Sequence, residues 1–432
     1  MDSQHDTGSH EAAAGLPPQA ARGSNSPKPP PDTAGAESHG AHPTMTGMPT
    51  TGPRMPRVPA WQVVAATLVT LLLLGTGLAV AAAGGDLSMR PGMAGTTMGT
   101  PGNGGGMPGM STAMPTSAMA GGAMAGQEMS AVDVSNAPAA PANARGMQLL
   151  TSTLVSGVKE FHLMAGVIRW HILPNVEVGA YAYNQQVPGP LIRVTEGDRV
   201  RIVVRNDLPE PTTIHWHGLQ LPNDQDGAGS MTQQPIAPGT VYTYSFTVPA
   251  TPGTFFYHTH VDADRQQALG LYAPLIIDAA APTDRYDVEY TVMLQEWMVS
   301  GGQTYPAMDM AGRQPNFFTI NGKSWPATER LKVKVGQRVL LRFIGSGQFI
   351  HPMHLHGQPF EIVATDGNPV PLTARIRKDT VLVGPGERYD VAFTARAPGL
   401  WLLHCHINHH LTNDGREEQG AGGLTMVVQI DP

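Results

Sequence analysis

Apolar and polar residues alternate through residues 194–204, which read Val-Thr-Glu-Gly-Asp-Arg-Val-Arg-Ile-Val-Val. A period of two is typical of strands with one buried face, so this segment predicts a half-buried strand pair. The same pattern recurs in residues 333–343. From about residue 155 onward, short runs of this kind are separated by Pro-Gly pairs, which predicts an all-β fold.

The recurrence extends to further motifs in the same order. His215-Trp216-His217-Gly218 corresponds to His354-Leu355-His356-Gly357, and His258-Thr259-His260 corresponds to His404-Cys405-His406. Pro-Gly pairs lie between these motifs in both copies. The sequence therefore predicts two tandem copies of one β-sandwich-sized unit, at residues 155–280 and 281–432.

Eleven of the seventeen histidines lie in four tight clusters, whereas His162 and His171 stand alone and are predicted to have ordinary structural roles. Residues two apart on a strand point to the same face, so each His-x-His pair presents two imidazoles to one side. Imidazole binds copper, zinc, iron and nickel. The histidines alone therefore predict a metal site without selecting the metal.

The single cysteine selects copper. Cys405 lies between His404 and His406, so its thiolate points away from both imidazoles. Two imidazoles and one thiolate form the blue-copper arrangement, and His351 and His410 are the predicted partners of the thiolate. His409 has the wrong parity for this role. Structural zinc usually needs more than one cysteine and does not fit.

These motifs resemble those of the multicopper oxidases, specifically the two-domain laccase-like members, over residues 155–432. The resemblance implies two cupredoxin-like Greek-key sandwiches and four copper ions per chain. It implies type 1 copper at His351, Cys405 and His410, and type 2 copper at His215 and His354. The type 3 pair would take the six remaining motif histidines, which are His217, His258, His260, His356, His404 and His406.

The resemblance also implies a reaction. A small reducing substrate is oxidised by one electron at a time, and dioxygen is reduced to water at a trinuclear copper cluster. The sequence leaves the substrate open among phenols, aromatic amines and metal ions. In the first domain, the positions equivalent to the type 1 ligands are Thr212, Thr259 and Asp264, so only the second domain is expected to hold type 1 copper.

The loop after His410 is longer than the family pattern and runs through Gly423. The axial type 1 position then falls on Leu424, with Met426 as the alternative on the same strand face. Asp226 resembles the acidic residue that the family carries beside the trinuclear cluster. Reduction of dioxygen to water consumes protons, which a carboxylate can relay, although an ordinary Asp-Gly turn is the alternative.

The first third of the chain differs in composition. Residues 1–57 are rich in Pro, Gly, Ser and Ala and predict a disordered cytoplasmic tail. Residues 58–85 carry no charge and follow Arg54 and Arg57, which predicts a transmembrane helix with the catalytic domains outside the cell membrane. A cleaved signal peptide and a secreted protein are the alternative. Residues 86–154 form a Met-rich linker, either a plain tether or a collector of Cu(I).

The net charge of −7 gives no basic field for binding nucleic acid.

A domain linker of about ten residues reaches ~35 Å at most, which makes it hard for one chain to complete the trinuclear cluster alone. We therefore expect a homotrimer in which domain one of each chain meets domain two of the next. A copper nitrite reductase and a non-catalytic electron-transfer protein are the rival functions, with two copper ions and one per chain.

Overall fold

The computed structural model describes residues 130–282, 284–307 and 314–432. The predicted tail at 1–57, the predicted transmembrane helix at 58–85 and the Met-rich stretch 86–129 lie outside the described residues. Within the described ranges, no helix combines the length and the apolar character that crossing a bilayer requires.

Strands dominate the first domain. They are β1 (Thr153–Val155), β2 (Val158–Leu173), β3 (Val176–Tyr183), β4 (Ile192–Thr195), β5 (Arg199–Asn206), β6 (His215–His217), β7 (Val241–Thr247), β8 (Gly253–His258) and β9 (Tyr272–Asp278). A 3-10 turn (Asn223–Gln225) precedes β7, and a short helix α1 (Ala263–Gln266) precedes β9.

The second domain repeats this pattern with additional short strands. Its strands are β10 (Val288–Ser300), β11 (Gln303–Tyr305), β12 (Phe317–Ile320), β13 (Leu331–Lys334), β14 (Arg338–Gly345), β15 (His351–Leu355), β16 (Phe360–Thr365), β17 (Asn368–Pro369), β18 (Arg377–Lys378), β19 (Thr380–Val383), β20 (Arg388–Thr394), β21 (Gly399–Cys405) and β22 (Thr425–Asp431). Two 3-10 turns span Leu372–Ala374 and Asn408–Leu411.

Each domain is a sandwich of two sheets with the same strand order. In the first domain, β2-β5-β7 form one sheet and β4-β9-β8-β6 the other. In the second domain, the equivalent strands are β10-β14-β20 and β13-β22-β21-β15. The β2–β5 and β10–β14 pairs are both parallel. The predicted repeat of two cupredoxin-like sandwiches is confirmed.

Strand β5 shows how the sequence pattern produces a sandwich face. Val200, Ile202 and Val204 are buried, and the residues between them are at least partly exposed. The buried side chains join a core that includes Trp216 from the opposite sheet. Each such burial contributes roughly 1.5–3 kcal/mol, which fixes the strand register.

The two domains of one chain share a buried contact. Trp170 and Tyr272 from the first domain pack with Trp297 from the second in one apolar cluster. Beside it, Arg342 donates to Asp390 at 2.9 Å and to Thr254 of the first domain at 2.8 Å. This combination of apolar contact and charged hydrogen bonds holds the domains in one arrangement.

Residues 130–154, the end of the predicted linker, lie against both domains. Val132 is buried, and its N–H donates to the carbonyl of Thr304 at 2.9 Å. Leu150 donates to the carbonyl of Leu191 at 2.8 Å. Residues 130–154 are therefore packed onto the surface of the two folded domains.

Candidate metal centre

Cys405 is buried at the end of β21, between two imidazoles from other parts of the second domain. His351 begins β15, and His410 lies in the 3-10 turn Asn408–Leu411. The Sγ atom is 3.5 Å from Nδ1 of His410 and 3.9 Å from Nδ1 of His351. The two Nδ1 atoms are 3.1 Å apart. The predicted trio thus converges on one point, which we call the Cys405 site.

The donor set of the Cys405 site fits copper. Burial, together with the nearby His351, lowers the pKa of His410 to about 3, so this imidazole is neutral and keeps a lone pair. Burial raises the pKa of the Cys405 thiol to about 11. A bound cation reverses this preference, because a coordinating thiol is deprotonated. Two imidazoles and one thiolate match a soft or borderline metal such as copper.

Consecutive side chains at the C-terminal end of β21 point to opposite faces of the sheet, as predicted. Cys405 is buried, His404 is partly exposed and His406 is exposed. Met353 is paired with Cys405, and His354 with His404. Because paired residues share a face, His354 lies on the same side of the sheet as His404 and away from the thiol.

Two groups of four imidazoles lie close together, one in each domain. The first tetrad, from domain one, is His215, His217, His258 and His260. The second tetrad, from domain two, is His354, His356, His404 and His406. Neighbouring ring centroids are 5.0–5.7 Å apart in the second tetrad. In the described ranges, no ring contact joins one tetrad to the other.

Backbone carbonyls orient the rings in the same way in both tetrads. Nδ1 of His258 donates to the carbonyl of Thr259 at 2.7 Å, and Nδ1 of His404 donates to that of Cys405 at 2.8 Å. The free Nε2 of His404 then lies 2.9 Å from Nε2 of His356. Because each carbonyl fixes one tautomer, the opposite nitrogen keeps its lone pair for a metal.

Burial also favours the neutral form of two histidines in each tetrad. It is the main cause that lowers the pKa of His217 and of His258 to about 3. The pKa values of His356 and His404 are lowered as well, first by burial and then by neighbouring imidazoles. Neutral imidazoles are the form that binds metals, so these four histidines are suited to ligation near neutral pH.

Asp226 lies beside the first tetrad. Its carbonyl accepts from Nδ1 of His215 at 2.8 Å, and its carboxylate Oδ1 is 3.6 Å from the same nitrogen. Asp379 has the same relation to His354 in the second tetrad, with a carbonyl at 2.9 Å and Oδ1 at 3.8 Å. The repeat in the sequence gives no sign of Asp379, because it follows its histidine motif at a different distance.

Leu424 immediately precedes β22 and lies opposite Cys405. Leu403 pairs with Met426 and His404 with Thr425. Continuing this register by one residue opposes Cys405 to Leu424, whose carbonyl accepts the Cys405 N–H at 3.1 Å. Met426 lies two residues further along the same face, and both side chains are fully buried.

The long loop after His410 is fixed by one buried amide. Asn413 accepts from Ser324 Oγ at 2.5 Å and from the N–H of Gly423 at 3.0 Å. Its own amide donates to the carbonyl of Trp325 at 2.6 Å. These bonds fix the chain immediately before Leu424.

His409 does not join the Cys405 site, as predicted. It is exposed, and its ring packs edge-on against that of His410 with centroids 4.3 Å apart. The three donor atoms that converge belong to His351, Cys405 and His410.

In the first domain, the equivalent position is filled by hydrogen bonds. The Oε1 atom of Gln266 accepts from Thr212 at 2.8 Å and from Thr259 at 2.7 Å. The Gln266 amide donates to Glu210 at 3.1 Å. Gln266, rather than the exposed Asp264, therefore lies with Thr212 and Thr259 at the position equivalent to the third type 1 ligand. Only the second domain has the donors of a blue-copper site, as predicted.

Sequence reasoning missed Glu296 and Phe318. Nε2 of His351 donates to Oε1 of Glu296 at 2.6 Å, and both side chains are completely buried. The ring of Phe318 stacks on that of His410, with centroids 4.2 Å apart. One signal was present: Glu296 is the sole charged residue of the apolar run 291–299.

Comparison with known proteins gives a consistent result. Two family models described as multicopper oxidase match residues 166–282 and 301–415. The chain is 34% identical over 258 residues to the multicopper oxidase MmcO of Mycobacterium tuberculosis, an alignment that covers 52% of this chain and 50% of that protein. The chain thus spans about half the length of this relative, and 40% and 38% of two laccases.

Two solved structures are matched over most of their length. The blue copper oxidase from Nitrosomonas europaea is 35% identical, with a TM-score of 0.56, and the match covers 63% of this chain and 85% of that one. The multicopper oxidase mgLAC is 36% identical, with a TM-score of 0.58 and coverage of 63% and 86%.

Proposed function

Since the chain belongs to the multicopper oxidase family, we propose that it is a laccase-like oxidase. It oxidises a small reducing substrate by single electrons and reduces dioxygen to water. The tripeptide His404-Cys405-His406 carries this proposal, because its thiol faces one donor set and its imidazoles face another. Copper supplies the one-electron chemistry in both places when it is bound.

We assign the ligands by the geometry of the two donor sets. Type 1 copper would be held by His351, Cys405 and His410, with Leu424 as the residue beside the thiolate, because its carbonyl accepts the N–H of Cys405. Type 2 copper takes His215 and His354, the two histidines whose Nδ1 atoms are held by Asp carbonyls. The type 3 pair takes the six other tetrad members, giving four copper ions per chain, and these are His217, His258, His260, His356, His404 and His406.

Asp226 serves as a proton relay in this proposal. Its carboxylate is partly exposed and lies 3.6 Å from the ring of His215. It can therefore exchange protons with solvent while it faces the cluster. Its carbonyl has the separate task of orienting His215.

We propose a homotrimer because each chain carries two half-clusters. His260 and His406 are exposed, and no ring contact joins the two tetrads in the described ranges. The domains of one chain are held by a buried apolar cluster, whose Phe256 stacks on His217 of the first tetrad. A head-to-tail ring brings the first tetrad of each chain to the second tetrad of the next.

We also propose that the uncharged segment 58–85 anchors the enzyme, with the oxidase domains on the extracytoplasmic side. The Arg residues at 54 and 57 support this orientation.

The proposal is tested by measuring copper content, the absorption spectrum and oxygen uptake for the full-length protein and for its Cys405→Ser variant. Wild type should hold four copper ions per chain, be blue and consume oxygen with at least one phenol, aromatic amine or metal ion. The variant should lose the blue band and one copper. Two copper ions per chain with nitrite reduction, or one copper without oxygen uptake, would overturn the proposal.

A further inference from the structure

A carboxylate is completely buried against one of the imidazoles of the Cys405 site. Oε1 of Glu296 lies 2.6 Å from Nε2 of His351, and neither side chain has any exposed surface. Burying an isolated carboxylate is expensive, so such a group is expected to have a partner that compensates its charge. In the described ranges, no Lys or Arg forms an ion pair with Glu296; its ion-pairing partner there is His351.

From this contact we infer that Glu296 is the positioning residue of the type 1 centre, holding His351 with Nδ1 toward copper and lowering the reduction potential. The inference rests on the proposed copper at the Cys405 site. Nδ1 of His351 can bind a metal only if the ring proton is on Nε2. The carboxylate of Glu296 is the acceptor that keeps it there.

The surrounding backbone is built around this carboxylate. The N–H of Gln348 donates to the second oxygen, Oε2, at 2.9 Å. A Cβ atom on Gly347 would overlap the carboxylate itself, so this glycine provides the space that Glu296 occupies. Both oxygens are thus fixed, one by the backbone and one by the imidazole.

The negative charge has a predictable effect on the metal. A carboxylate bonded to a ligating histidine makes that ligand more basic, which stabilises the more highly charged oxidation state. Hydrogen bonding and polarity around a blue-copper site tune its potential. The other imidazole lacks this support, because Nε2 of His410 is buried without a partner among the described residues. Glu296 therefore tunes the reduction potential of the copper through His351.

The experiment measures the potential of the blue centre in the full-length protein, by anaerobic equilibration of the blue band with a redox buffer. Glu296→Gln keeps the shape of the side chain and removes its charge. We expect the ratio of oxidised to reduced centre to shift about tenfold toward the reduced form, equivalent to ~59 mV for one electron. Glu361→Gln is the matched control, at an exposed position on strand β16 of the same domain, and should leave the ratio unchanged.

A second variant moves the carboxylate without removing its charge. Gly347→Ala should displace Glu296 and shift the ratio in the same direction. The wild-type protein provides a test that needs no substitution. Pulsed EPR should show two different remote ring nitrogens, one on His351 that is hydrogen-bonded to a carboxylate and one on His410 that is not. Equivalent remote nitrogens, or an unchanged potential in a blue Glu296→Gln protein, would overturn the inference. A wild type without a blue band would instead overturn the proposed copper site.

Discussion

Glu296 and Phe318 are directly opposite each other in the β10–β12 pair, and each contacts a different imidazole of the Cys405 site. Glu296 accepts a hydrogen bond from His351, and Phe318 stacks on His410 with an interplanar angle of 27°. Opposed residues on neighbouring strands share a face. One cross-strand pair therefore supports both imidazoles, one by charge and the other by ring contact.

Replacing Phe318 with Leu should loosen His410. The variant loses the stacked ring and costs roughly 1 kcal/mol of stability. The blue band should broaden or shift, because His410 is free to tilt at the metal. Phe360→Leu is the control, since Phe360 is equally buried in the same core. It should lose similar stability and keep the wild-type spectrum; identical spectra for both variants would show that the stacking has no effect on the site.

Replacing Asp226 with Asn should slow oxygen reduction while copper loading stays complete. The backbone carbonyl that orients His215 is unaffected by the substitution, whereas the acidic group is lost. A positioned proton donor typically contributes 10²–10⁴-fold, so oxygen uptake should fall roughly 100-fold at saturating reductant. Anaerobic reduction of the blue centre should keep its rate. Asp224→Asn, on the exposed part of the same turn, should behave as wild type; equal oxygen uptake in both variants would remove the relay role.

Mixing inactive chains should restore activity if the cluster is shared between subunits. His217→Ala damages the first tetrad and His356→Ala the second, so hybrid rings regain some intact composite sites. Unfolding and refolding the mixture, then measuring oxygen uptake and mass by light scattering, tests this directly. Self-mixed single variants are the control. A fully active species of one chain mass would place the whole cluster within a single chain.

Lys323 should make stability depend on pH in an alkaline window. It lies over the ring of Trp170 and donates to the carbonyl of His171 at 2.6 Å. Burial lowers the pKa of this lysine to about 8, from 10.5. The unfolded chain therefore binds more protons between these values, and stability should rise with pH across them, by up to ~3 kcal/mol. The urea midpoint of wild type relative to Lys323→Met should increase from pH 7.5 to 10. The same comparison with the exposed Lys332→Met should show no such trend; parallel pH curves for Lys323→Met and wild type would contradict the prediction.

The proposed anchor at residues 58–85 predicts that protease releases the oxidase domains. Protease added to intact cells should cut in residues 86–129 and free a soluble, blue, active fragment, because this stretch is predicted to be an accessible linker. Protease-treated inverted vesicles are the control and should retain the domains inside. A native N-terminus near residue 84 in untreated cells would show signal cleavage instead.

The sequence predicted most of the site because the ligands lie in short motifs. His404-Cys405-His406 follows directly from the period of two along a strand, and the repeat excluded the first domain as a type 1 site. Glu296 and Phe318 were not predictable as partners, because β10 and β12 meet the Cys405 site only through the tertiary fold. Gln266 was missed for a related reason: helix α1 changes the spacing after Thr259, so a position counted along the chain fell on Asp264 instead.

The buried hydrogen-bonded group in the first domain, at the position equivalent to the Cys405 site, limits how far the first domain can come to resemble the second. Thr212, Thr259, Gln266 and Glu210 satisfy one another, so replacing Thr259 by a cysteine would leave buried acceptors unmatched at a cost of about 1–3 kcal/mol. A second blue site would need several simultaneous exchanges, each unfavourable by itself. The duplicated fold therefore retains this asymmetry, and under the proposed function each chain has a single site at which electrons enter.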